Sequence, residues 1–124
     1  MKRLVLLLAL CAACKQQDAA LLVTMSGQYR IPADADKLSI DVYDGTQFLK
    51  HKDWCVTTTP TCDALPVQSS LSASVTLVQS GADHPHVKIH VELRKGTPVV
   101  GLGAVEADFQ SGTTLEVPIL VTTP

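Results

Sequence analysis

Val87-Lys-Ile-His-Val-Glu-Leu-Arg-Lys-Gly-Thr-Pro-Val-Val-Gly-Leu-Gly-Ala104 decides the fold class. Val87, Ile89, Val91 and Leu93 alternate with Lys88, His90, Glu92 and Arg94, and a period of two sends successive side chains to opposite faces of a strand. Lys95-Gly96 is a two-residue turn signal, because glycine accepts a positive φ without a Cβ clash. Such a turn sets Val91 opposite Val100, Ile89 opposite Leu102 and Val87 opposite Ala104, an apolar face shared by both strands. In that register Gly101 and Gly103 lie on the outward face, opposite His90 and Lys88. The same period recurs on either side of the quoted stretch. Leu21, Val23 and Met25 carry it, as do Leu38, Ile40 and Val42, then Leu71, Ala73, Val75 and Leu77, and finally Leu115, Val117, Ile119 and Val121. Pro118 has no N–H for a ladder, which predicts an edge strand or a bulge there. Asp44-Gly45 is a second hairpin signal, but simple pairing about it leaves Phe48 beside Asp41 and requires a bulge. Strand order within residues 46–70 stays open. No segment keeps apolar residues at helical spacing for three turns. The expectation is an all-β, antiparallel two-sheet sandwich of about seven to eight strands over residues 21–124.

Composition agrees. Residues 1–14 hold 12 of the 57 apolar residues, and the remaining 45 of 110 (about 41%) are ordinary for a globular domain. Val, Ile and Thr account for 29 of those 110, a lean towards strands. The whole chain carries 10 basic and 12 acidic residues with no basic cluster, which argues against nucleic acid as a partner.

Met1-Lys2-Arg3 followed by an apolar run to Ala13 has the form of a signal peptide with a basic start. Ten apolar residues as a helix reach only about 15 Å, half of the hydrocarbon core of a bilayer. Leu10-Cys11-Ala12-Ala13-Cys14 resembles the lipobox of bacterial lipoproteins, with Cys14 at the obligatory cysteine and Ala12 and Ala13 at the small positions before it. Cys11 stands where that family prefers leucine. The resemblance implies cleavage after residue 13, a covalent lipid on Cys14 as the only attached group, a short tether over 14–20, and membrane contact through the lipid. Lys15 replaces the Asp that commonly retains such proteins at the inner membrane, so the outer membrane is favoured. An ordinary secretory signal cut nearby is the plainer alternative. The sandwich looks like immunoglobulin-like or fibronectin-like cell-surface domains. The tail from Val100 to Phe109 and from Leu115 to Leu120 resembles uncharacterised bacterial envelope lipoproteins, a resemblance that carries no active site. Such a protein is expected to be a structural or interaction module meeting an envelope protein or polysaccharide.

Cys55 and Cys62 remain as an even pair in an exported chain, and the polar, Pro-containing residues between them can fold back. A structural disulfide is expected; a redox pair would want closer spacing. His84, His86 and His90 form the one histidine cluster, placed by strand period on a single face with Lys88 between them. Two imidazoles about 6.6 Å apart can share a zinc-like ion, with His51, Asp53 or Asp83 as completing ligands, but Lys88 places a positive charge among them and a solvent-facing polar edge is the expected reading. Asp34, Asp36, Asp41 and Asp44 offer oxygens for calcium, or act as ordinary turn formers. Trp54, Tyr29, Tyr43 and Phe48 supply aromatic surface for a sugar or partner, or for the core. No nucleophile–base motif, zinc-protease motif or phosphate-cradling glycine loop is present, so catalysis is not expected. The alternative to an interaction module is a small-ligand or metal-binding lipoprotein using the His84–His90 face or the Asp34–Asp44 loops.

Overall fold

A computed structural model describes residues 19–79 and 84–124. The segment 1–13 expected to be a signal peptide, Cys14 and Asp83 lie outside the described residues. Eight strands run in the order β1 Ala20–Gly27, β2 Lys37–Asp44, β3 Gln47–Cys55, β4 Cys62–Ala64, β5 Leu71–Val78, β6 His86–Arg94, β7 Val99–Asp108 and β8 Thr114–Leu120. They form a three-stranded sheet, β5-β1-β8, and a five-stranded sheet, β4-β3-β2-β6-β7. The all-β, two-sheet expectation holds. Antiparallel pairing dominates, with parallel contacts at β1–β8 and β3–β4.

The alternating residues do what their period requires. Leu21, Val23 and Met25 of β1 and Leu71 and Leu77 of β5 meet Leu38, Ile40 and Val42 of β2 and Val87, Ile89, Val91 and Leu93 of β6 in one core. Val117 and Ile119 of β8 join them, and Pro118 sits on a sheet edge as its missing N–H demands. β1 begins at Ala20, and Ala19 and Ala20 are already buried, so the last two residues read as tether belong to the sandwich.

Two registers differ from the simplest reading. In the β6–β7 hairpin Val91 pairs with Gly103, Ile89 with Val105 and Val87 with Ala107. The cause is a longer turn. Residues 95–98 form the loop, closed by the Lys95 N–H donating to the Pro98 carbonyl at 3.1 Å, and a register shift follows between Leu93 and Arg94. The net slip is an odd number of residues, which turns every β7 side chain over. Gly101 and Gly103 therefore face inward, and Leu102 points out at 43% exposure.

Those glycines let the two sheets touch. A Cβ on Gly103 would stand 2.7 Å from Ile119 Cγ2, and one on Gly101 would stand 2.8 Å from the Tyr29 hydroxyl. Tyr29 fills the space instead and donates its hydroxyl to the Val100 carbonyl at 3.0 Å. Beyond β8 the chain ties both sheets. Val121 N–H donates to Ser26 of β1, while Thr122 exchanges backbone bonds with Leu102 of β7.

The β2–β3 hairpin contains the bulge that Phe48 requires. Tyr43 pairs with Phe48 and Val42 with Lys50, so Leu49 is the extra residue and packs against the core. Cys55 and Cys62 are joined as a disulfide with Cα atoms 5.7 Å apart, and β4 pairs with the end of β3 beside it.

Candidate functional site

Two surfaces collect polar side chains on this frame, and each follows from register. The first is the outer face of the five-stranded sheet. Asp41 is cross-strand partner to both His51 on β3 and His90 on β6, while Ser39 lies between Asp53 and Glu92. The His51 ring bridges two carboxylates, with Nδ1 on Asp41 and Nε2 2.8 Å from Asp53. The hydrogen bond to Asp41 and then that to Asp53 raise the His51 pKa above its ordinary value, against a smaller opposing effect of burial. For Asp53 burial is the largest single effect and pushes upward, but the Ser39 hydroxyl, His51 and Lys37 together hold the carboxyl below its usual range. Farther along, His86 repeats the arrangement, with Nδ1 2.6 Å from Asp108 and Nε2 2.8 Å from Glu106. Its pKa is likewise raised, through Asp108 first and Glu106 second.

The histidine cluster of the sequence is thus divided. His84 precedes β6 and meets Asp44 at 2.6 Å, His86 is held by β7 carboxylates, and His90 sets its ring edge-on to Tyr43 at a centroid distance of 5.5 Å. The four aspartates separate as well. Asp34 pairs with Arg30, Asp36 accepts the Gly96 N–H, Asp41 takes His51, and Asp44 takes His84. Among the described residues no three His, Cys, Asp or Glu side chains converge as a metal-holding group. The aromatic residues divide too: Tyr29 is buried in the core and Trp54 is half-buried against it, whereas Phe48 is 54% exposed and edge-packed on Tyr43.

The second surface is a groove where the sandwich gapes. The inner face of β3 carries Lys50 opposite Val42 and Lys52 opposite Ile40, charged residues where a closed sandwich would place apolar ones. The sheets consequently stand apart between β3 and β5. A cavity of about 480 Å³ lies there, lined by Val42, Leu49, Lys50, Leu77, Val87 and Phe109 among others. A smaller one of about 220 Å³ continues it along Ile40, Lys52, Val75 and Thr76. Lys52 is held by Asp63 at 2.6 Å and lies 5.3 Å from the Trp54 ring centroid. Lys50 has no acidic partner among the described residues. Sequence reasoning missed this groove, although Lys50 and Lys52 flanking His51 at the strand period would have flagged it had the bulge been placed.

Comparisons with protein families, with curated proteins and with solved structures return no match. The outer face offers imidazole–carboxylate pairs already satisfied by one another, which suits a hydrated, charge-balanced exterior. Among the described residues the groove offers an apolar floor and one lysine, Lys50, without an acidic partner, between β3 and the edge of β5.

Proposed function

We propose that this protein is a lipid-anchored module of the bacterial cell envelope, whose sandwich meets a partner rather than performs catalysis. The observation that carries the anchor is the Leu10-Cys11-Ala12-Ala13-Cys14 stretch behind a basic start and a short apolar run. Cys14 offers a thiolate that takes a diacylglyceryl group as a thioether. Each buried methylene then adds about 0.8 kcal/mol of membrane affinity, so two or three acyl chains hold firmly. The Cys55–Cys62 disulfide supports the same reading, because such bonds persist in oxidising compartments. Among the described residues no helix is long and apolar enough to cross a membrane. With Lys15 following the acylated cysteine, the outer membrane is the expected location.

Detergent phase partition tests the anchor. The chain with Cys14 intact should enter the detergent phase and lose residues 1–13, while Cys14→Ser should stay uncleaved and carry no lipid by mass. Lipid mass still present in the Cys14→Ser variant would overturn the reading.

A further inference from the structure

We propose that the outer edge of β5 accepts an extended strand of a partner protein, with an acidic side chain of that strand set against Lys50 across the groove. The argument begins with edges. A strand at a sheet edge presents a row of unpaired backbone donors and acceptors, and proteins commonly guard such rows with charge, proline, bulges or a covering segment. The other three sheet edges in this fold are guarded: β8 carries Glu116 and Pro118, β7 carries Glu106 and Asp108 and is bridged by Thr122, and β4 has three residues. The part of β3 that β4 leaves uncovered carries Lys50 and Lys52 beside its bulge. β5 is the exception. Leu71-Ser-Ala-Ser-Val-Thr-Leu-Val78 has eight residues with no charge, proline, glycine or register shift. Among the described residues it pairs as a strand with β1 alone, and only its start is covered, where the Ser72 N–H donates to Gln68 Oε1 at 2.6 Å.

What lies beside that edge sets the chemistry of its occupant. A strand added to β5 would point alternate side chains into the gap beneath β3. The floor there is apolar, made by Val42, Leu77 and Val87, so apolar side chains are wanted at some inward positions. The ceiling carries Lys50, exposed and without an acidic partner among the described residues, so one inward position wants a carboxylate. A second copy of this chain fits poorly. Pairing β5 with its own copy would bring no carboxylate to either Lys50 and would leave both ammonium groups unanswered. The occupant is therefore a foreign strand that alternates outward polar residues with inward apolar and acidic ones.

This inference deepens the interaction-module reading and is independent of the lipid anchor. Its test uses the full chain in detergent solution, so that failure of acylation and failure of strand binding are read separately. The probe is a labelled, end-capped peptide, Thr-Val-Thr-Glu-Thr-Val-Thr, compared with the same peptide carrying Lys in place of Glu. The Glu peptide should bind at least tenfold more tightly, and hydrogen exchange should slow at the backbone amides of residues 71–78. Lys50→Glu should reverse the preference, and Lys50→Gln, a milder change at an exposed position, should abolish it. Equal binding of the two peptides, absence of binding, or peptide protection elsewhere than β5 would overturn the proposal. So would protection of β5 that rises with protein concentration and needs no peptide, which would identify a second copy as the occupant.

Discussion

Gly103 shows how one missing side chain sets the distance between two sheets. Ile119 Cγ2 stands 2.7 Å from where its Cβ would lie, and the Leu120 carbonyl oxygen 3.0 Å. Gly103→Ala should cost about 1–3 kcal/mol, the usual range for overpacking, measured by chemical denaturation. Gly45 gives the contrast: nothing lies within 4 Å of its Cβ position, but its φ of 59° is left-handed. Gly45→Ala should cost about 1 kcal/mol from backbone conformation alone. At His51 the relevant quantity is the proton. Asp41 and Asp53 raise its folded pKa, so the folded state binds the proton more tightly than the unfolded chain does. The resulting stability is complete below about pH 6.5, the unperturbed value, and is lost as pH rises through the higher folded value. The melting temperature should fall across that window, and less steeply in His51→Gln. His86 contributes with the same sign, so a variant changed at both histidines should show the flattest profile. An unchanged slope in the double variant would remove these clamps as its source.

The β3–disulfide–β4 unit is the element most dependent on a single bond. β4 has only three residues and pairs with β3 at Asp53, Trp54 and Cys55, directly beside the Cys55–Cys62 bridge. Closing so short a ring restricts the unfolded chain by about 2–3 kcal/mol in the loop-entropy account. Free-thiol counting under denaturing, non-reducing conditions should find Cys55 and Cys62 unreactive. Cys62→Ser should lower stability by that amount and speed exchange at residues 62–64, while β1 and β6 keep their protection. The pairing was legible from the even cysteine count and the polar loop between them. The parallel β3–β4 contact was not, because three residues carry too little periodicity to declare a strand.

Across the molecule the last four residues carry more weight than their number suggests. Val121 is 2% exposed, bonds to β1 through its N–H and precedes Thr122, which pairs with Leu102 of β7. Removing residues 121–124 should cost about 4.5–6 kcal/mol, a buried valine at about 1.5–3 and the three backbone hydrogen bonds at about 1 each. A single, lowered cooperative transition by heat is the expected result; an unchanged midpoint would show that the sheets hold together without this strap. The sequence by itself determined the fold class, the inward residues of β1, β2, β5, β6 and β8, and that Pro118 marks an edge strand or a bulge, of which the structure has the edge. Each is a local consequence of two-residue periodicity or of a missing N–H. It also determined that Phe48 needs a bulge. Only the tertiary structure decided which face Gly101 and Gly103 take, because an odd slip in one turn reverses every residue of a strand and nothing local forbids either register. The partners of His51, His84, His86 and His90 were decided by the tertiary structure too: Asp53 shares β3 with His51, but Asp41, Asp44, Glu106 and Asp108, and the tyrosine ring beside His90, come from other strands. So too was the groove under Lys50, which exists because two edges distant in the chain fail to close over one another.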